Sequence, residues 1–172
     1  MQDNRALIIV NSVYQLFTAI HIKQTILRDR PVDMILTDIT PRLKECLLRL
    51  REAKIFERVI FGSTKELNEK CAKGTVEELS GVFGKINQVF RWVLEEELGF
   101  YTEVFFSNFD PFTRMLACRY DSLPCDFICF EDGFSTYVID FLRENRAAIN
   151  RHPEGSKIKE KIKKVLLYEP RL

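Results

Sequence analysis

The stretch that decides the fold is Ala6–Val10, which reads ALIIV, followed without a break by residues 11–15, NSVYQ. The first five side chains are apolar and largely β-branched, and two polar residues end the run. This pattern predicts a strand buried on both faces of a parallel sheet. Ser12 and Gln15 have the spacing of a capping box, which opens a helix. A strand that leads directly into a helix is the repeating unit of an α/β fold.

The same unit recurs along the chain. Four further apolar runs alternate with segments that carry apolar residues at helical spacing. The further strands are expected at residues 32–36, 58–61, 102–106 and 126–130. Helices are expected after Ser12, at 41–52, 65–73 and 76–98, after Asp110, and at 137–149. This order predicts an α/β fold of three layers, with about five mostly parallel strands and helices on both faces.

The composition is that of a folded protein with no bulk attraction for polyanions. Of the 172 residues, 46% are hydrophobic, which excludes disorder, and 26 basic against 25 acidic side chains leave a formal charge of +1. We therefore expect no nucleic-acid partner. The five cysteines are an odd number in a chain that is not short, so we expect buried free thiols in a reducing cytoplasm rather than disulfides.

Several common sites are absent from the sequence. The turn after the first strand has no glycine, and there is no G-x-G-x-x-G, no phosphate-binding G-x-x-x-x-G-K-[ST] and no G-x-S-x-G. Two histidines without a zinc-binding spacing predict no metal site. We expect neither a cofactor nor a metal.

Polar residues follow each predicted strand. In open parallel sheets, ligands bind at the carboxyl ends of the strands, near the point where the strand order reverses. By this rule, the polar and glycine residues that directly follow the predicted strands are candidate ligand-binding residues. They are Asn11, Ser12, Thr37, Asp38, Gly62, Ser63, Ser107, Asn108, Asp110, Glu131, Asp132 and Gly133.

The sharpest group is Glu131-Asp132-Gly133, directly after the fifth strand. Side chains alternate along a strand, so the two carboxylates are expected to point in opposite directions. One of them could take a proton from a hydroxyl, and Gly133 permits a sharp turn and the close approach of a ligand. An ordinary acidic turn is the alternative interpretation of the same three residues.

Two stretches resemble a known family. The opening VNSVYQL, residues 10–16, together with FEDG at residues 130–133, is similar to the N-terminal half of glycosyltransferase family 52, which contains bacterial sialyltransferase-like enzymes of capsule and lipooligosaccharide synthesis. The resemblance implies a GT-B architecture of two Rossmann-like domains, inversion at the sugar carbon and no metal. It implies CMP-sialic acid as donor and a glycan as acceptor. A His-Pro motif of the donor domain matches His152-Pro153 in letters only, because no apolar strand precedes that pair.

The resemblance also implies roles for particular residues. Asp132 is expected as the catalytic base, with Glu131 second and Gly133 beside the substrate. At the end of the first strand, Asn11, Ser12 and Gln15 are expected to line the cleft, although Ser12 and Gln15 could instead be engaged in the capping box. Asn108 is expected to bind sugar hydroxyls. Asp110 could do the same or could cap a helix.

The domain organisation follows from the same resemblance. Residues 1–155 are expected to form the acceptor-side domain, and the lysine-rich residues 156–172 a basic helix and strand leading to a C-terminal donor domain beyond the chain. The lysines are either a solvated helix face or a basic patch for phosphate or for anionic lipid at the inner face of the membrane. A homodimer also stays open.

Two other functions fit the sequence. One is a self-contained, flavodoxin-like module that binds a nucleotide or phosphate. The other is a non-catalytic interaction domain that uses aromatic residues near the strand ends, namely Phe109, Phe112 and Phe134.

Overall fold

A computed structural model describes residues 4–73 and 85–131 of the chain. These residues contain a five-stranded sheet in which every neighbouring pair of strands is parallel. The strands are β1 (Ala6–Val10), β2 (Val32–Thr37), β3 (Arg58–Gly62), β4 (Glu103–Phe106) and β5 (Asp126–Cys129). Their order across the sheet is β3-β2-β1-β4-β5, so the chain runs outward from β1 in one direction and then resumes on its other side.

Helices cover both faces of the sheet. They are α1 (Val13–Thr25), α2 (Leu43–Ala53), α3 (Lys65–Lys73), α4 (Ile86–Val93) and α5 (Pro111–Tyr120). Helices α1 and α2 pack on one face, and α3, α4 and α5 pack on the other. The predicted α/β fold of three layers, with a Rossmann-like parallel sheet, is therefore confirmed.

The central strand has two buried faces. Leu7 and Ile9 join the core under α3, α4 and α5, whereas Ala6, Ile8 and Val10 join the core under α1 and α2. All five side chains are at most 1% exposed. Successive side chains of a strand point to opposite faces, so a strand covered on both sides must be apolar throughout. This is why ALIIV is a continuous run rather than an alternating one.

The predicted helix over residues 76–98 is wrong at its C-terminal end. Residues 74–84 lie outside the described part of the chain, and α4 ends at Val93. Leu94 is extended and forms an antiparallel bridge with Gly62. The Ser63 N–H donates to the Val93 carbonyl at 2.7 Å, and the Glu95 N–H donates to the Phe61 carbonyl at 3.1 Å. These bonds satisfy backbone groups at the outer edge of β3, which a continuing helix would leave unpaired.

The start of the second helix also differs from the prediction. The sequence predicts Thr40 as the cap and Pro41 as the first helical residue, but α2 begins at Leu43 and Arg42 precedes it without a side-chain cap. The Thr40 hydroxyl instead donates to the Asn11 carbonyl at 2.8 Å. A tertiary bond to the end of β1 has replaced the local cap.

None of the five cysteines, all of which lie in the described part of the chain, forms a disulfide, as expected, but they are not all buried. Cys71 is buried; Cys46, Cys118 and Cys125 are half-buried, and Cys129 is exposed. The edge position of β5 explains the last of these. The predicted helix at 137–149 and the lysine-rich segment 156–172 lie outside the described residues.

Gly62 is expected to tolerate no branched side chain. A Cβ there would lie 3.1 Å from Leu94 Cδ2, 3.4 Å from Thr64 Cγ2 and 3.5 Å from Ile35 Cγ2. We expect Gly62→Val to lower the free energy of unfolding by about 1–3 kcal/mol, measured by urea denaturation, because the added methyl groups overpack this contact. Gly99→Val is the control, since a Cβ at Gly99 would meet only Arg58 Nη2, at 3.8 Å. Equal stability of the two variants would contradict the close approach of β3 and Leu94.

Candidate functional site

The strand order places a topological switch point between β1 and β4. The chain leaves β1 toward β2 on one side and returns to β4 on the other, which makes the carboxyl ends of β1 and β4 the point where the order reverses. Open α/β sheets bind their ligands at such a point. The loop that follows β1 begins at Asn11, and the loop that follows β4 begins at Ser107. Candidate residues from two distant parts of the sequence therefore meet at one edge.

Asn11 joins three strand ends. Its Nδ2 donates to Asp110 Oδ2 at 3.0 Å, and its Oδ1 accepts from the Thr37 hydroxyl at 2.8 Å. The residue is 3% exposed. Its side chain thus connects the end of β1 to the end of β2 and to the loop after β4. Asn11 is placed to hold this edge together, and its contact with a ligand stays a prediction.

Gln15 makes a second connection between the same loops. Its Oε1 accepts from the Asn11 N–H at 2.7 Å, and its Nε2 donates to Asn108 Oδ1 at 3.2 Å. The Ser12 hydroxyl caps α1 by accepting from the Gln15 N–H at 3.2 Å. The Ser12 half of the predicted capping box is therefore present. The Gln15 side chain, however, accepts from the backbone N–H of Asn11 instead of that of Ser12. Gln15 is 1% exposed, and through it α1 positions Asn108.

Asp110 is a half-buried carboxylate at this edge. It caps α5, with Oδ1 accepting from the Thr113 N–H at 2.8 Å. Burial raises the pKa of Asp110, while the bonds from Thr113 and Asn11 and the nearby Arg114 oppose that rise. Desolvation in turn lowers the pKa of Arg114. The site thus contains an acid for which the charged form is costly.

The end of β5 lies at the same edge. The Phe130 N–H donates to the Phe106 carbonyl at 2.8 Å, which continues the β4–β5 ladder to Phe130, the residue before Glu131. Glu131 is exposed. Asp132 and Gly133 lie outside the described residues, so the expected opposite orientation of the two carboxylates stays a prediction.

The loop after β2 and helix α3 complete the edge. Asp38 Oδ1 accepts from the Lys65 N–H at 2.8 Å, and Asn68 Oδ1 accepts from the Phe112 N–H at 3.1 Å. Sequence reasoning nominated Asp38 but not Asn68 or Arg114. Asn68 lies 44 positions from its partner within an ordinary polar helix, so no sequence signal pointed to it.

Three buried hydroxyls lack a hydrogen-bond partner among residues 4–73 and 85–131. They belong to Thr64, just before α3, to Ser107, the first residue after β4, and to Thr113, in the first turn of α5. Over the same residues, no group of three or more His, Cys, Asp or Glu side chains could hold a metal ion. No helix found there is long and apolar enough to cross a membrane.

Comparison with known proteins gives one weak structural likeness. No protein-family model and no curated protein matches the chain. Among solved structures, the chain is similar to Arabidopsis thaliana UGT89C1 complexed with UDP, with 12% sequence identity and a TM-score of 0.42. The likeness covers 98% of this chain and 41% of that one, so the chain spans less than half of the protein it matches. A TM-score this low carries no argument about function.

Proposed function

We propose that the chain is the acceptor-side half of a sialyltransferase-like, inverting glycosyltransferase of GT-B architecture. The observation that carries the proposal is the hydrogen-bonded network at the switch point, in which Asn11 meets Asp110 and Gln15 meets Asn108. Sugars are recognised by arrays of hydrogen-bonding side chains, and this edge supplies amide, hydroxyl and carboxylate groups together. The resemblance in residues 10–16 and 130–133 supplies the substrate class.

In the proposed reaction, a carboxylate after β5 takes the proton from an acceptor hydroxyl. The hydroxyl oxygen attacks the anomeric carbon of sialic acid from the face opposite the nucleotide. The bond from that carbon to the CMP phosphate oxygen breaks, CMP leaves with the electron pair, and the configuration inverts. Asp132 is assigned as the base and Glu131 as the second carboxylate, with Gly133 allowing close approach. A second domain, outside these 172 residues, would hold most of the CMP-sialic acid.

The proposal places the enzyme in the cytoplasm, with residues 156–172 available for contact with the inner face of the membrane. The described residues favour it over both alternatives. The strand order is that of a Rossmann-type half, with β1 central, and differs from the 2-1-3-4-5 order of flavodoxin-like modules. Of the three aromatic residues expected on a docking surface, Phe112 is fully buried and the Phe109 ring packs edge-on against Phe106 at 4.8 Å, while Phe134 lies outside the described residues.

The 172-residue chain is expected to bind the acceptor sugar but not to catalyse sialyl transfer. We expect saturation-transfer NMR to detect lactose on the chain, because the acceptor-side residues are present. Incubation with CMP-sialic acid and lactose should give no sialyllactose above background, because the donor domain is elsewhere. FMN and CMP titrations serve as controls for a self-contained nucleotide module. Turnover by this chain would contradict the two-domain division, and a failure to bind lactose would contradict the acceptor-side assignment.

A further inference from the structure

We propose that Asp110 is the carboxylate that binds a hydroxyl of the acceptor sugar, and that Asn11 is the residue that positions it. The inference rests on the proposed function for the identity of the ligand. It adds a binding group that is separate from the carboxylates after β5.

Helix capping alone does not account for how Asp110 is held. The cap uses one oxygen, Oδ1, which accepts from the Thr113 N–H. The other oxygen, Oδ2, is held by Asn11, which lies 99 positions away in the sequence. Asn11 is itself fixed by the Thr37 hydroxyl. Two donors on opposite oxygens fix the plane of the carboxylate, and a carboxylate has about four acceptor positions, so capacity is left for a ligand hydroxyl.

The presence of a charged residue, Asp110, at the N-cap of α5 is a second indication of a binding role. Ser, Thr or Asn caps a helix about as well as Asp, without the cost of a partly buried charge. Here burial raises the pKa of Asp110, so the protein keeps a carboxylate where it is costly. The group facing it from the end of β1 is the neutral Asn11 amide, and the charged group acting on it from its own helix is Arg114. A carboxylate held in this way offers a strong, oriented acceptor to a sugar hydroxyl.

The ionised form of Asp110 is then required for binding. Because its pKa is raised, we expect affinity for the acceptor to fall as the pH is lowered through that pKa. The stability of the fold has the opposite pH dependence. The folded carboxyl binds its proton more tightly than the unfolded one, so its contribution to stability falls as pH rises from the unfolded to the folded pKa.

The decisive variant is Asp110→Asn. Its amide oxygen can still cap Thr113, and the Asn11 amide can turn over because the Thr37 hydroxyl can accept as well as donate. We expect Tm to hold or rise at neutral pH and the Kd for lactose to increase about 10-fold or more, the effect of one charge-assisted hydrogen bond. The pH dependence of binding should disappear. Asp29→Asn, at an exposed turn far along the chain, is the matched control.

Asn11→Ala tests the positioning role. Loss of the amide donor should raise the pKa of Asp110 further, so the midpoint of the pH dependence of lactose binding should move to higher pH. A merely structural Asn11 would lower Tm and leave that midpoint in place. Equal lactose affinity of the wild type and Asp110→Asn would overturn the inference and leave the transferase proposal standing. Loss of lactose binding in Asp110→Asn, in a full-length protein that transfers no sialic acid, would support the inference and overturn the transferase.

Discussion

Replacing Asp33 by alanine is expected to lower the free energy of unfolding by about 3 kcal/mol, the lower end of the range for breaking a buried ion pair. Asp33 is fully buried near the start of β2. Arg58 Nη2 and the Tyr101 hydroxyl donate to its Oδ2 at 2.6 and 2.8 Å, and Arg5 Nη1 lies 3.3 Å from its Oδ1. The arginine side chains are about a third exposed, so water can partly replace the lost carboxylate.

Urea denaturation of Asp33→Ala, Asp33→Asn and Glu52→Ala checks this expectation. Asp33→Asn should cost less than Asp33→Ala, because its amide oxygen can still accept one of the donors. Glu52 is exposed on α2, and its replacement should change stability by less than about 0.5 kcal/mol. If Asp33→Ala were as stable as Glu52→Ala, the cluster at the amino end of the sheet would not be needed for folding.

Asp132→Asn in a full-length enzyme should lower kcat at least about 100-fold, which is the lower bound for losing a general base. This corresponds to about 3 kcal/mol or more of the barrier. The change keeps the size of the side chain and most of its hydrogen bonding but removes the proton acceptor. Donor KM and Tm should stay nearly unchanged, since the loss is confined to the transition state. Initial rates of sialyllactose formation measure it.

Glu131→Gln is the matched variant and should have a smaller effect, because neighbouring side chains on an extended chain point to opposite sides. A large loss in Glu131→Gln with a mild one in Asp132→Asn would reverse the assignment of the base but keep the motif. Near-normal rates in both variants would make residues 131–133 an ordinary acidic turn.

The strands were predictable because a buried strand is a continuous run of apolar residues in the sequence. β1 begins and ends at the predicted residues, and the other four strands agree within one residue at each end. A strand covered on both faces must be an apolar run, and that run is visible without any knowledge of its neighbours. The cap of α5 at Asp110-Pro111 was predictable for a similar reason, since proline at the first helical position and aspartate before it act locally.

The errors lie where a long-range bond competes with a local preference. Thr40 has the sequence of a helix cap, yet its hydroxyl is taken by the Asn11 carbonyl. The apolar spacing around Leu94 continues a helical pattern, yet the chain there becomes extended to pair with the edge of β3. In both cases a backbone group at the end or edge of a strand needed a partner, and the nearest suitable group belonged to another element.

By itself, the sequence determined that this protein is an α/β chain with a parallel sheet and that polar residues follow its strands, because both properties depend on side chains a few positions apart. Only the tertiary structure decided that β4 lies beside β1, and with it that Asn11 bonds to Asp110 and Gln15 to Asn108. Hydrogen bonds between residues more than 90 positions apart leave no periodic trace in a single sequence. They form because the crossover after β3 carries the chain to the other side of β1, where the buried Asn11 and Gln15 have no water to bond to.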